Sequence, residues 1–145
     1  MTTPSDVRAL AGDLSLAVVR LTRHLRGRRS DAQISLTQLS ALATLARDGA
    51  MTPGVLAGKE RVQPPSMTRV IASLADLDLV QRRPHPTDGR QIIVSLSPAG
   101  RALIADETSA REEWMTGQLA GLRPEQVAVL GEAVGIMNQI VAGSE

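Results

Sequence analysis

The 145 residues include no cysteine, no phenylalanine and no tyrosine, and Trp114 is the single tryptophan. Without cysteine the chain forms no disulfide and no thiolate metal site, and thiol-based redox sensing is excluded. Proteins that bind RNA or single-stranded DNA usually stack bases on aromatic rings, and this chain has almost none to offer. If the chain binds nucleic acid, a duplex is therefore the expected partner.

Long hydrophobic runs are also missing. No unbroken apolar run approaches the roughly 20 residues that a membrane-spanning helix needs. The first stretch, MTTPSDVRALAGD, lacks the basic segment and apolar segment of a secretory signal. We therefore expect a soluble, cytoplasmic protein without a membrane partner, forming a single domain over residues 1–145.

The sequence contains few of the features that enzymes and metal proteins need. It has no cysteine nucleophile, no phosphate-binding loop and no glycine-rich fingerprint after a strand. Glu112 and Glu113 are adjacent on a predicted helix, so their carboxylates diverge. His24 and His85 are the only histidines, and neither lies in a cluster with the spacing of metal ligands. We predict no enzymatic activity, no cofactor and no metal.

Positive charge is uneven along the chain and comes almost entirely from arginine. Residues 1–101 hold 14 basic and 8 acidic residues, whereas residues 102–145 hold 2 and 7. Lys59 is the single lysine. Arginine presents a planar fork that suits phosphates and guanine edges, but a genome that favours arginine codons would give the same bias. A net charge of +1 thus conceals a basic body and an acidic C-terminal segment.

Apolar residues recur at helical spacing through most of the chain, and Ser/Thr-Pro pairs mark several helix starts. In the second helix, Thr37 is the predicted N-cap, and Leu39, Leu42, Ala43 and Ala46 are the predicted apolar face. The predicted helices are residues 6–28, residues 37–47, a short helix after Thr52-Pro53, a helix after Pro64-Pro65, a helix from Ser97-Pro98 to about Leu119, and a last helix from Pro124.

One short stretch is predicted to be a β-hairpin. Residues 79–83 and 91–96 alternate as strands do, and Asp88-Gly89 between them supplies a tight turn. The order of elements is helix, helix, helix, helix, hairpin, helix, helix. This order predicts a mainly α fold with a small β-hairpin, a winged helix-turn-helix in which the hairpin is the wing.

Two stretches resemble the MarR family of bacterial transcriptional regulators. PTDGRQIIVSLSPAGRAL is similar to the family's wing signature of Asp-x-Arg, a strand and Leu-Thr/Ser-x-x-Gly. VQPPSMTRVIASLADLDLV is similar to the family's recognition helix. The resemblance covers nearly the whole chain. It implies that residues 6–30 and 98–142 form N- and C-terminal dimerisation helices and that residues 36–97 form a DNA-binding winged helix-turn-helix lobe.

Two positions depart from the family pattern, and both lie at ends of the recognition helix. Gln63 stands where the family often has a capping serine, which caps better. Asp78 stands where the family usually has a glycine in the left-handed conformation, which aspartate tolerates less well. Neither change removes a DNA contact, but both are expected to weaken the ends of this helix.

The expected DNA contacts lie on the recognition helix and on the wing. The helix carries Met67, Val70, Ile71, Leu74 and Leu77 as a core stripe, and its opposite, polar face suits the major groove. The resemblance implies that Asp88 orients Arg90 into the minor groove, where negative potential attracts arginine. The predicted DNA-binding residues are Pro65, Ser66, Thr68, Arg69, Arg82, Arg83, Asp88, Arg90 and Gln91.

Three further basic features remain open. His85 is a weaker candidate for a phosphate contact. Lys59 and Arg61, near the end of the short third helix, fit phosphate ligands and solvated charges equally well. RHLRGRR, residues 23–29, is interpreted as a solvated helix end, where cations suit the negative end of the helix dipole.

The resemblance also implies partners. A twofold homodimer would read a pseudo-palindromic operator, for example in its own promoter, with half-sites about one helical turn apart. A small aromatic or anionic effector between the dimer helices and the DNA-binding lobe would release the DNA, as in a repressor. The candidate effector residues are Arg20, His24, Met51, Trp114 and Met115, although an ordinary place in the core or on the surface is the favoured interpretation of each. The alternative function is a winged-helix protein–protein interaction module without specific DNA binding.

Overall fold

The computed structural model describes residues 1–26 and 34–144. In these ranges the predicted order of six helices and one hairpin is confirmed. The end of the predicted first helix, residues 27–28, and the last three residues of the RHLRGRR stretch, residues 27–29, lie outside the described residues. The elements are α1 (Pro4–Arg26), α2 (Leu36–Asp48), α3 (Pro53–Glu60), α4 (Pro64–Asp76), β1 (Val80–Pro84), β2 (Ile92–Leu96), α5 (Pro98–Ala120) and α6 (Pro124–Ala142).

The start of α2 differs from the prediction, because Ser35 and not Thr37 is its N-cap. The amide of Gln38 donates to Ser35 Oγ at 3.2 Å, and the amide of Ser35 donates to Gln38 Oε1 at 2.8 Å. This reciprocal pair is a capping box, which satisfies two amide groups at once. Thr37, two residues later, would provide only its own hydroxyl oxygen as a cap. The helix therefore begins after Ser35, with Leu36 as its first residue.

The buried face of α2 also differs from the prediction. Leu42 is fully buried, but Ala43 and Ala46 are exposed, and the buried set is Ala41, Leu42, Thr44 and Leu45. The alanines were weak markers because they are small and fit either side of a helix. Thr44 is tolerated inside because its hydroxyl donates to Glu60 of α3.

The core lies between α2, α3, α4 and the hairpin. Its fully buried side chains are Leu42, Leu56, Met67, Leu74 and Val94. Each such side chain contributes about 1.5–3 kcal/mol of transfer free energy. Met51 joins the hairpin to this core, since its amide donates to Val94 O at 3.1 Å and its carbonyl accepts from Val94 N at 2.8 Å. The hairpin is therefore attached by backbone pairing to the segment between α2 and α3, and the core side chains pack it against α4.

Both unusual ends of α4 have the predicted character. Gln63 makes no side-chain capping bond, and Pro64 opens the helix. Asp78 takes the left-handed conformation with φ 59°, the region in which glycine is favoured. Leu77, which was predicted on the core stripe, is instead exposed at the C-cap, because the helix ends there.

A tight joint connects the hairpin to α5. Ser97 caps α5 by accepting from the amide of Gly100 at 3.0 Å, and its hydroxyl donates to the carbonyl of Asp78 at 2.6 Å. The amide of Ser97 donates to Leu79 O at 3.1 Å. A Cβ at Gly100 would lie 2.1 Å from that same carbonyl oxygen. Three elements therefore meet in close contact: the end of α4, the base of the hairpin and the start of α5. They leave no space for a side chain at Gly100.

Two long helices leave most of their apolar side chains uncovered. None of the residues of α6 is buried, and Val134 is 55% exposed. In α1, Leu10 and Leu14 of the predicted stripe are exposed as well. Exposed apolar patches of this extent are typical of interaction surfaces. Within the described ranges, none of the helices is both long and apolar enough to cross a membrane.

Candidate nucleic-acid interface

The polar face of α4 points away from the core. Met67, Ile71 and Leu74 are buried beneath the helix. Pro65, Ser66, Thr68, Arg69 and Ala72 form the opposite, exposed face. The hydroxyl of Thr68 donates to Pro64 O at 3.0 Å, so its remaining lone pairs are acceptors for donors such as amino groups on base edges. The small side chain of Ala72 allows close approach to this face.

A hydrogen bond across the lobe fixes the orientation of α4. Gln38 Nε2 donates to Ser73 Oγ at 2.8 Å, and that hydroxyl donates to Val70 O at 2.7 Å. Gln38 therefore takes part in the capping box of α2 and also binds Ser73 of α4. Sequence reasoning missed this contact because its partners are 35 residues apart.

A second polar link joins α2 to α3, the two helices that precede the turn before α4. Glu60 accepts hydrogen bonds from Ser40, at 2.6 Å, and from Thr44. Arg61 follows with φ 54° and ends α3 in the left-handed conformation. Carboxylate acceptors make stronger bonds than neutral ones, so this link helps to define where the turn begins.

The hairpin carries arginines on both of its faces. β1 pairs antiparallel with β2, from Val80 opposite Leu96 to Pro84 opposite Ile92. Arg82 and Arg83 are both exposed and point to opposite sides, because successive strand residues alternate. One of the two arginines is therefore directed to each face of the hairpin.

The loop at the tip, residues 85–91, is closed by its own hydrogen bonds. Asp88 Oδ1 accepts from the amide of Arg90 at 3.1 Å, and Oδ2 accepts from Gln91 Nε2 at 3.0 Å. The Gln91 side chain, and then the Arg90 amide, hold the pKa of the Asp88 carboxyl below its usual value. Asp88 thus fixes the backbone of Arg90 and not its guanidinium, which is exposed. Gln91, predicted as a DNA contact, is bound to Asp88.

His85 has a role that the sequence did not reveal. Its Nδ1 accepts from the amide of Thr87 at 3.2 Å and from the amide of Asp88 at 3.0 Å. The backbone of His85 also donates to Gln91 O at 3.1 Å. The imidazole therefore supports the tip from inside the loop. The only available signal was a side-chain acceptor two and three residues before backbone amides, a pattern usually looked for with Asn, Asp, Ser or Thr.

Lys59 of α3 lies beside Asp48, the last residue of α2. Lys59 Nζ is 3.3 Å from Asp48 Oδ2, and Asp48 is also bound by Arg47 at 3.1 Å. These two cations lower the pKa of Asp48, Arg47 having the larger effect. Lys59 thus has a partner of opposite charge, whereas Arg61 is exposed in the turn. The geometry leaves both interpretations of Lys59 and Arg61 open.

The five candidate effector residues do not form one site. Met51 lies in the core of the lobe. His24 and Trp114 come together as parallel rings with centroids 6.2 Å apart. Met115 lines a shallow hollow nearby, and Arg20 is exposed on α1.

A more enclosed cavity of about 350 Å³ lies between α1, α2 and α5. None of the five candidates lines it. Its walls are Thr22, Leu25, Leu36, Leu39, Ser40, Ala43, Ile104, Glu107 and Arg111. It lies between the helices that the resemblance implies for dimerisation and the DNA-binding lobe, but its lining residues were not predicted, because three helices distant in sequence contribute them.

Comparisons with known proteins agree on the kind of protein that this chain resembles. Residues 34–92 match the model of the MarR family. The HTH-type transcriptional regulator MT0903.1 of Mycobacterium tuberculosis is 56% identical over 137 residues, which cover 94% of this chain and 95% of the relative. An uncharacterised HTH-type transcriptional regulator of Mycobacterium leprae, ML2140, is 53% identical over the same shares.

Solved structures show the same fold at lower identity. A MarR family protein from Bacillus stearothermophilus superposes with a TM-score of 0.83 and 20% identity, over 98% of this chain and 99% of that one. FabT of Streptococcus pneumoniae, solved in complex with DNA, superposes with a TM-score of 0.73 and 16% identity, over 95% and 98%. The winged helix-turn-helix architecture is therefore common to all of them.

Proposed function

Because the chain belongs to the MarR family of helix-turn-helix transcriptional regulators, we propose that it is a repressor that reads a pseudo-palindromic operator as a homodimer. α4 enters the major groove, and Arg90 enters the minor groove beside it. A single observation carries the proposal: one hydrophobic core supports both α4, with its exposed polar face, and the arginine-tipped hairpin.

The major-groove contact is supported by the side chains on α4. Ser66 and Thr68 are short and polar, and Arg69 reaches further as a bidentate donor suited to guanine O6 and N7. The N-terminal turn of α4 begins with Pro64 and Pro65 and receives no side-chain cap from Gln63. Pro64 and Pro65 have no N–H group, and the amide of Ser66 donates to Gln63 O at 3.0 Å, so the attraction of a phosphate oxygen to this end comes from the positive end of the helix dipole.

The minor-groove contact is supported by the tip of the hairpin. Asp88 holds the Arg90 amide, so the backbone of the tip is ordered before DNA arrives. An ordered loop loses less conformational entropy on binding. Arg82 and Arg83 point to opposite faces of the hairpin, so one of the two serves as a phosphate ligand at the edge of the groove. The narrow groove attracts the guanidinium of Arg90.

Dimerisation is supported by the uncovered apolar faces of α1 and α6. Val129 and Val134 of α6 are more than half exposed, as are Val7 and Leu10 of α1. A twofold partner would cover both helices and set two copies of α4 one helical turn apart. In light scattering at micromolar concentration, the measured mass is expected to be twice the chain mass. A mass equal to one chain would contradict the dimer and the palindrome together.

Release by a small molecule is supported by the cavity between α1, α2 and α5. Leu25, Leu39 and Ile104 supply apolar walls, and Arg111 supplies a cation at the edge. A small aromatic molecule with an anionic group would place its ring among the leucines and its charge towards Arg111. Since α5 leads directly from the hairpin, a ligand here would alter the spacing of the two DNA-reading lobes.

Footprinting and gel-shift assays on the DNA upstream of its own gene test the proposal. We expect a protected palindrome and an affinity that falls steeply as salt rises, because bound phosphates release counterions. With about six phosphate contacts per dimer, affinity is expected to drop roughly 1000-fold between 50 and 200 mM salt. Binding that is absent, or unchanged by salt, would instead favour a protein–protein interaction module.

A further inference from the structure

We propose that His85 is a positioning residue for Arg90 and that its neutral imidazole makes operator binding dependent on pH. The proposal rests on the proposed DNA-binding function and adds a regulatory property to the wing. It begins from one contact: Nδ1 of His85 accepts the amides of both Thr87 and Asp88, at 3.2 and 3.0 Å.

These two bonds govern the conformation that presents Arg90. The amide of Asp88 is held by His85, and the carboxylate of Asp88 in turn holds the amide of Arg90. His85, Asp88 and Arg90 therefore form a chain of contacts from the end of β1 to the backbone amide of Arg90. The backbone bonds between His85 and Gln91, and between Gln91 and Asp88, close the loop around it.

The acceptor exists only while Nδ1 carries no proton. A protonated imidazole donates from both nitrogens, and histidine is the side chain that ordinarily changes charge between pH 5 and 8. A proton on Nδ1 would point at the two amide N–H groups, at 3.2 and 3.0 Å, so both bonds would be lost. The remaining partner of Nδ1 is the hydroxyl of Thr87, at a longer 3.4 Å. The tip would then have to be ordered at the moment of binding, which lowers affinity.

The charges around His85 partly oppose one another. The Asp88 carboxylate interacts with the imidazole, and His85 is the last of the causes that lower the pKa of Asp88. Two cations, Arg83 and Arg90, lie on either side of His85 in the sequence of the hairpin. The carboxylate is already engaged by the Arg90 amide and by Gln91, and the loop is largely exposed. We therefore infer that loss of the acceptor outweighs the attraction, and that binding weakens as pH falls.

A conservative replacement separates this role from simple packing. Oδ1 of asparagine occupies the same place along the side chain as Nδ1 of histidine and accepts amides two and three residues ahead in turns. His85→Asn keeps the acceptor and removes the titration. His85→Ala removes both.

Affinity for the footprinted duplex is measured at pH 7.5 and pH 5.5 for the wild type and both variants. At pH 7.5 we expect His85→Asn to bind like the wild type and His85→Ala to bind about tenfold more weakly, because the tip of each wing must then be ordered at the moment of binding. At pH 5.5 the wild type should fall towards His85→Ala, whereas the ratio of His85→Asn to His85→Ala should stay constant. A charge gained elsewhere in the protein at low pH is shared by all three proteins and cancels in these ratios. The charge gained by His85 itself is present only in the wild type and favours DNA binding, so it opposes the expected fall.

An NMR titration without DNA gives an independent readout. In the wild type, the amide resonances of Thr87 and Asp88 should shift together as His85 takes up its proton, and in His85→Asn they should not. The inference would be overturned if the two amide resonances did not shift during the titration, or if His85→Ala bound DNA as tightly as the wild type. Either result would leave the proposed function intact. A wild type that protects no DNA but shows the amide shifts would instead overturn the proposed function, with the hydrogen-bonded loop retained.

Discussion

Arg90→Ala is expected to weaken binding of the operator duplex by about tenfold to a hundredfold, because each dimer loses two guanidinium groups from the minor groove. Arg90 is exposed at the tip, and only its backbone amide takes part in the loop, through Asp88. The melting temperature and the dimer should therefore be unchanged. Fluorescence anisotropy with a labelled duplex measures the effect.

A charge-matched control separates a groove contact from a general loss of positive charge. Arg123 precedes α6, at the far end of the 23-residue helix α5 from the hairpin, which places it roughly 34 Å away along the helix. Arg123→Ala should change affinity by less than about twofold at moderate salt, where such distances are screened. Equal losses in the two variants would mean that Arg90 acts only through net charge.

Gly100→Ala is expected to lower the free energy of unfolding by about 3 kcal/mol, near the upper end for overpacking a well-filled site. The added Cβ would lie 2.1 Å from the carbonyl oxygen of Leu79 and 3.3 Å from Cδ2 of Leu96. The carbonyl cannot move freely, because it accepts the amide of Ser97. Either α5 or the base of the hairpin must shift, and both belong to the same joint. Urea unfolding followed by circular dichroism measures the change.

The matched control is Gly117→Ala on the same helix. A Cβ at Gly117 meets no atom within 4 Å. Because alanine favours the helix more than glycine does, Gly117→Ala should raise the free energy of unfolding by roughly 0.5–1 kcal/mol. Opposite signs for the two variants are the expected result. If Gly100→Ala proved as stable as the wild type, the close approach of α5 to Leu79 would not be a constraint.

The sequence predicted best those features that depend on neighbouring residues. Thr52-Pro53 and Ser97-Pro98 start helices as expected, since cap and proline act within one turn. Asp88-Gly89 gave the turn of the hairpin for the same reason. The start of α2 was misplaced because two local signals competed, and the reciprocal bonds of Ser35 and Gln38 outweighed a lone threonine.

Features that depend on tertiary structure were less accessible. The exposed face of α4 followed from its periodicity, but the bond from Gln38 to Ser73 links residues that periodicity cannot pair. Glu60 was unremarkable in the sequence, yet it receives two hydroxyl groups from α2. Met51 was a candidate for an effector site, and its backbone pairing with Val94 holds it in the core.

The stacking of Trp114 on His24 makes the protein its own optical probe. No other tryptophan or tyrosine contributes to its emission, and the two rings lie parallel, one on α5 and one on α1. A change in the distance between these helices would alter the intensity of a single fluorophore, because the neighbouring imidazole affects the excited indole. Titrations with small molecules can therefore be followed on the unlabelled chain, before any operator has been mapped.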